Sequence, residues 1–317
     1  MKSKLAIILL AMGGPDTTAD IPKFLYNIFS DRAIIRLPGG AIFQKPFAAL
    51  ISRLRAKNVA RHYEQIGGGS PLVHWTRSQA SHIEEQLSSD FDAVKCYIGM
   101  RYFGPSIEEA IRDAIIDGYN RICFLPLYPQ YSTATTGSSF AVARKALERE
   151  PQIDAMFIND FHDSPEYASL LSHCIQRHIG PDETLLFSAH SLPQKFTDEG
   201  DPYVVQVKKT AAMAAGSRDY MLTFQSRTGP VKWVGPDTVD EVKRSLDDPA
   251  RKLFIVPISF VCDHIETLHE LDIQLKEIVG PEKAARIRRM PMFNDDAKFG
   301  RILANLIRCK VGEYVGK

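Results

Sequence analysis

The chain contains no apolar run close to the roughly 18 residues that a membrane-spanning helix needs. Its N-terminus, MKSKLAIILLAM, has two lysines before a short apolar stretch, but no A-x-A cleavage site follows and GGPD reads as a turn. A buried first strand over 5–12 is expected there rather than an export signal. Cysteine is scarce: Cys96, Cys123, Cys174, Cys262 and Cys309 are scattered, odd in number and without C-x-x-C. That excludes a disulfide framework and a Cys-only metal site, and it fits a reducing cytoplasm. Charge of one sign is not in excess either. A net +1 over 317 residues argues against a general nucleic-acid binder, which carries a basic stripe. The glycine turns AMGGPD (11–16) and GGGSPL (67–72) match neither G-x-G-x-x-G nor the P-loop, so no nucleotide cradle is indicated. No low-complexity or Pro/Ser-rich linker is present. What remains is an ordinary globular composition, 44% hydrophobic and 24% charged, directed at a small-molecule partner.

What is there is alternation. Continuous apolar runs of β character occupy 5–12, 93–100, 121–128, 155–160, 184–189, 219–224, 252–258 and 286–291. Helical patterns lie between them, at 18–29, 45–64, 75–88, 106–117, 138–149, 165–178, 203–215, 237–246, 264–279 and 295–308. Continuous rather than alternating runs imply strands covered on both faces. The fold class expected is α/β, with two similar doubly wound, mostly parallel sheets and a cleft between them. The halves echo one another. LPLYPQYS (125–132) answers VPISFVCD (256–263), and LLAMGGP (9–15) answers LFSAHSLP (186–193). The boundary is placed near 160, giving 1–160 and 161–317, each close to the usual domain length of about 150 residues.

In open α/β sheets ligands bind beyond the C-terminal strand ends, and polar residues collect there. DHIETLHELD follows the strand at 252–258. On an α-helix Glu266 and Glu270 share a face, and His269 lies beside Glu266 at i+3. His264 and Glu266 are read as functional, because they stand at a strand end directly after apolar ISFV. Glu270 and Asp272 are expected on a solvated face. The order H-x-E-x-x-H is not the H-E-x-x-H of zinc proteases. His190 follows its strand in LLFSAHSLP. A hydrolase nucleophile at Ser188 or Ser191 would need the glycines of G-x-S-x-G, which are missing. TTGSS (135–139) is equally a plain helix cap or an anion site. Segment 38–57 reads as an amphipathic helix packed on the core, with an apolar lip for a greasy ligand or a membrane-surface contact as the alternative.

Taken in order, AMGGPDT (11–17), IGGGSPL (66–72), MRYFGPSIEEA (100–110), LPLYPQYSTATTGSS (125–139), LLFSAHSLP (185–193), GDPY (200–203), FQSRTGPVKWVGPDT (224–238) and ISFVCDHIETLHELD (258–272) closely resemble the ferrochelatases, which insert ferrous iron into a porphyrin. The resemblance implies that His190 and Glu266 form the metal and proton-transfer pair, with Asp263 and His264 as a relay beside them. It places Arg101, Tyr102, Tyr128, Ser132, Trp233 and Phe260 in the porphyrin pocket. It makes 38–57 a porphyrin lip. It implies a lyase-type chelatase of haem biosynthesis with porphyrin and Fe²⁺ as partners, monomeric or homodimeric, in the cytoplasm or peripheral at the membrane surface. The motifs look more like the protoporphyrin IX type than the coproporphyrin III type. Some relatives carry an iron–sulfur cluster with one Cys in the YPQYS motif and three near the C-terminus. Here Thr133 stands at the motif position and only Cys309 lies in the tail, so no cluster and no organic cofactor are expected. His and carboxylate ligands would also admit Zn²⁺ or Co²⁺.

Overall fold

The computed structural model describes residues 4–35 and 40–315. In chain order it runs β1 (Lys4–Ala11), α1 (Ile21–Ser30), α2 (Gly40–Glu64), α3 (Leu72–Leu87), β2 (Ala93–Met100), α4 (Ile107–Ile116), β3 (Arg121–Pro126), α5 (Ser138–Leu147) and β4 (Asp154–Phe157). It continues with α6 (Pro165–His178), β5 (Glu183–His190), α7 (Gln194–Asp198), α8 (Tyr203–Ala215), β6 (Tyr220–Gln225), α9 (Thr238–Ser245), β7 (Lys252–Pro257), α10 (Leu275–Val279), α11 (Pro281–Ala284), β8 (Ile287–Arg289) and α12 (Ala297–Val315). Two stretches are π-helical, Thr133–Gly137 and Glu266–Gln274.

Among the described residues every pairing between these strands is parallel. The two four-stranded sheets have orders β2-β1-β3-β4 and β6-β5-β7-β8. Each half therefore repeats one winding: its first strand is central, its second lies on one side, its third and fourth on the other. The central strands β1 and β5 are covered on both faces, which explains their unbroken apolar runs. The edge strands β4 and β8 are short, as edges tend to be. In the first sheet Ile8 and Leu10 pack with Ile107, Phe124 and Phe140. In the second, Leu186, Leu253 and Ile255 pack with Val242, Leu271 and Leu275. Leu271 belongs to the second π-helix. Burial of such a side chain contributes roughly 1.5–3 kcal/mol, so the core itself fastens this helix to the sheet.

The chain forms two compact units. One comprises residues through Leu127, Thr133–Asn159 and the chain from Asn294 onward; the other comprises Tyr128–Ser132 and Asp160–Phe293. This differs from a cut into 1–160 and 161–317. Helix α12 packs on α3 in the first unit, where it buries Phe299, Leu303 and Ile307. Tyr128–Ser132 passes to the second unit.

The glycine turns brace each other. Ser70 N–H donates to Pro15 O at 2.8 Å. A Cβ on Gly69 would stand 2.1 Å from Asp16 O, and one on Gly14 would stand 2.5 Å from Ser70 Cβ. Close approach of the two loops, not phosphate binding, accounts for Gly69 and Gly14.

Helix α2 overturns the expectation of an apolar face packed inward. It buries Gln44, Ala48, Ser52 and Tyr63, and exposes Ile42 (84%), Phe43, Phe47, Leu50 and Leu54 (72%). Gln44 faces inward because its amide donates to Phe29 O and Ile35 O at 2.6 and 2.8 Å. Pro38 and Gly39 lie outside the described residues. No helix among the described residues is long and apolar enough to cross a membrane.

Candidate active site

His190 is the last residue of β5, and its ring leaves the sheet at the C-terminal strand end. The Nδ1–H donates to Ser191 O at 2.7 Å, so Nε2 is the free position of the neutral ring. His264 does the same one corner away, with Nδ1–H donating to Cys262 O at 3.0 Å. Both Nε2 atoms converge on one carboxylate. His190 Nε2 is 3.5 Å from Glu266 Oε1, and His264 Nε2 contacts Glu266 Oε2. Lone pairs on two neutral imidazoles would repel a carboxylate at such range. A proton or a cation between them removes that repulsion.

The electrostatics follow. Burial pushes the Glu266 carboxyl up, but His264 and His190 outweigh it and hold the group well below its usual range. Burial pushes the His190 imidazolium down, but the Glu266 carboxylate, with Glu270 behind it, outweighs it and raises the ring above its ordinary value. Phe260 stands edge-on to His264 at 4.5 Å between centroids and to His190 at 6.3 Å, an apolar wall beside the pair.

Asp263 and His264 precede the π-helix. His264 N–H donates to Thr267 Oγ1 at 3.0 Å, and the Thr267 hydroxyl contacts Asp263 Oδ1 at 2.9 Å. Asp263 also pairs with Arg289 at 3.0 Å. Arg289 in turn grips Asp272 through Nε and Nη2, at 2.9 and 2.7 Å. Asp272 is therefore an ion-pair partner, not a solvated face residue. Glu270 departs further from that expectation. It accepts from Ser226 N–H at 2.6 Å, from Ser226 Oγ at 2.5 Å and from Gln225 Nε2 at 3.2 Å. Burial and the Glu266 charge raise its carboxyl above the ordinary value. The cause of both departures is the π-helical ladder, whose i→i+5 bonds replace the 3.6-residue spacing by which faces were assigned. His269, read as a neighbour of Glu266, is 4% exposed in the interior.

Thus His190, Glu266, His264, Asp263 and Phe260 are brought together within the second unit. The other expected pocket residues have their own surroundings. Arg101 and Tyr102 lie in the first unit, and both bind Asp31 Oδ2, at 2.5 Å from Nη2 and 2.7 Å from the hydroxyl. Arg101 Nε also donates to Ser138 Oγ at 2.9 Å, which gives TTGSS a local partner. Tyr128 is half-buried. Ser132 is buried, with its hydroxyl on Asp201 Oδ2 at 3.0 Å. Trp233 sits in the loop after β6, its indole N–H donating to Thr228 O at 3.1 Å. Sequence reasoning missed Glu270, Ser226, Gln225, Arg289, Tyr203 and Ser259; only membership in the FQSR, GDPY and ISFVCDHIETLHELD motifs pointed to most of them. Asp160, His162 and Asp163 bring ligand-type atoms within 4.8 Å of one another. Lys209 Nζ stands 2.6 Å from Asp163 Oδ2 and already supplies positive charge there.

The ferrochelatase family model matches residues 4–311. A ferrochelatase of Geobacter metallireducens is 42% identical over 318 residues, covering 97% of this chain and 99% of the relative. One of Geotalea daltonii is 39% identical over 99% of this chain and 100% of its own length. Among solved structures, SirB from Bacillus subtilis with Fe³⁺ shares the fold at a TM-score of 0.57 and 14% identity, covering 99% of this chain and 98% of that one. With a family match over nearly the whole length and relatives at about two-fifths identity, the chain belongs to the ferrochelatase family of metal chelatases.

Proposed function

We propose that this chain inserts Fe²⁺ into protoporphyrin IX, with coproporphyrin III as the alternative ring, and releases the two pyrrole protons. The observation that supports this reading is the Glu266 carboxylate held between the Nε2 atoms of His190 and His264. Metallation exchanges two N–H protons for one dication, so the site must accept a proton and a metal in turn. A carboxylate that stays ionised and an imidazole with Nε2 free meet both needs. His190 Nε2 and Glu266 hand the metal to the ring or take its protons. His264 and Asp263 pass charge outward. An imidazole–carboxylate set without thiolates suits a substrate metal that must leave again, rather than a closed structural site. The reaction needs no organic cofactor and no iron–sulfur cluster on this reading; acid-labile sulfide in the purified protein would contradict the latter.

Purified protein mixed anaerobically with Fe²⁺ and each porphyrin separately, followed by absorbance, tests the function. Rapid metallation of protoporphyrin IX, lost in His190→Ala and in Glu266→Gln, is expected. Faster turnover of coproporphyrin III would reassign the ring. Near-normal turnover in both folded variants would remove the site assignment.

The outward face of α2 belongs to the same reading, as a peripheral contact with an anionic membrane surface. Lys45, Arg53, Arg55, Lys57 and Arg61 accompany the exposed apolar residues, and no acidic residue occurs between 40 and 63. Co-sedimentation with phosphatidylglycerol vesicles, weakened in Leu50→Glu/Leu54→Glu, is the expected result. Binding that is absent, or indifferent to the substitutions, argues for a porphyrin lip alone.

A further inference from the structure

Ser132 stands within the YPQYS motif, yet its hydroxyl points at Asp201 rather than at an open surface. It contacts Asp201 Oδ2 at 3.0 Å. The other oxygen, Asp201 Oδ1, accepts from the backbone N–H of Tyr203 at 3.0 Å, one of the unpaired donors at the start of α8. Tyr203 Oη lies 2.9 Å from His190 O and 2.6 Å from Ser259 Oγ, and His190 N–H reaches Ser259 Oγ at 3.2 Å. Ser132, Asp201, Tyr203 and Ser259 are all buried.

The directions of these bonds are determined. A carbonyl only accepts, so Tyr203 donates to His190 O. A backbone N–H only donates, so Ser259 Oγ accepts from His190. The remaining contact runs from the Ser259 hydroxyl to the Tyr203 oxygen. The result is a closed ring in which each hydroxyl donates once and accepts once.

The sheet explains the need for it. The β5–β7 register ends at Ser188↔Pro257, and Ser188 O takes its last bond from Ile258 N–H at 3.0 Å. The main-chain groups of His190 lie beyond that strand. Side chains of Ser259 and Tyr203 supply the hydrogen bonds that β7 no longer offers. They fix the peptide planes on either side of His190, and with them the origin of its imidazole.

We infer that Ser132, Asp201, Tyr203 and Ser259 are positioning residues for His190, a buried chain that holds its main chain rather than a set of porphyrin contacts. The inference rests on the proposed role of His190. Full-length Ser132→Ala, Tyr203→Phe, His190→Ala and the Tyr203→Phe/His190→Ala double variant are compared for metallation kcat and for porphyrin Kd by fluorescence quenching. Supporting groups behind a metal-site histidine typically cost about 10- to 100-fold when removed. A kcat loss of that size is expected in Ser132→Ala and Tyr203→Phe, with porphyrin Kd unchanged. Tyr203→Phe should cost nothing further on the residual rate of His190→Ala. Should Tyr203→Phe fail to fold, Ser259→Ala replaces it. Weakened porphyrin binding with kcat spared in Ser132→Ala overturns the inference, as does an equal Tyr203→Phe loss in both backgrounds. A silent Tyr203→Phe beside an inactive His190→Ala overturns this inference alone. A fully active His190→Ala removes the reading beneath it.

Discussion

Glu266 and His190 titrate as a pair whose shifts run in opposite directions. The Glu266 carboxyl is lowered from its ordinary 4.5, so its contribution to stability is present above that pH and is lost as pH falls toward the depressed value. The His190 ring is raised from 6.5, so its contribution is full below 6.5 and fades as pH rises through the raised value. Between those limits the imidazolium–carboxylate pair is intact. A metal at Nε2 competes with the ring proton, so apparent metal affinity should rise with pH through the raised His190 value. Glu266→Gln removes the main charge that opposes burial. An NMR pH titration of His190 in the metal-free protein should show a midpoint above 6.5 in the parent chain and a lower midpoint in Glu266→Gln. Equal midpoints would contradict the pairing. Arg289 tests a different single-residue effect. Its guanidinium is nearly buried between Asp263 and Asp272, and Arg289→Leu would remove the cation shared by the two carboxylates. A loss of about 3–5 kcal/mol is expected, read as a lower urea midpoint for the second unit.

At the scale of elements, the second π-helix decides which side chains face which. Its ladder carries Leu271 into the core beside Leu253 and Ile255 and sets Glu270 against Ser226, whose backbone adopts a left-handed φ of 67°. A non-glycine residue in that region is strained, and the two bonds to Glu270 hold it there. Such a choice cannot be read from a 3.6-residue periodicity, because α and π ladders share the same apolar positions over a short stretch and tertiary partners select between them. The glycine loops allow a cleaner experiment. A Cβ at Gly69 collides with the Asp16 carbonyl, which is backbone and cannot rotate aside. Gly69→Ala should lower the melting temperature by several degrees at the first unit, since about 1 kcal/mol shifts a domain of this size by roughly 2–4 °C. An unchanged melt would mean that the loops separate at little cost.

At the scale of the molecule, the two units are not two halves of the chain. Helix α12 returns to the first unit and covers α3, with Gly300 against His82, where an added Cβ would stand 2.3 Å from that side chain. A fragment ending at residue 160 therefore lacks one wall of its core. Residues 1–160 expressed alone should aggregate or lack cooperative melting. Fusing 294–315 behind a flexible linker should restore a sharp transition by circular dichroism. A well-folded 1–160 fragment would show α12 to be dispensable.

The amino-acid sequence alone determined the elements and the chemistry types. β2 falls at 93–100, α6 at 165–178 and α8 at 203–215, where they were expected, because apolar periodicity and local caps act over a few residues. Positions such as His190, at the end of β5, and His264, shortly past β7, were legible for the same reason. The tertiary structure decided what no local signal carries. It aimed two Nε2 atoms at one carboxylate, turned Glu270 and Asp272 inward, turned Ile42 and Leu54 of α2 outward, and returned α12 to the first unit. Each of these depends on a partner distant in sequence, such as Arg289 for Asp263 or Phe29 O for Gln44, and on the hydrogen bonds that buried polar groups must find once the core has formed.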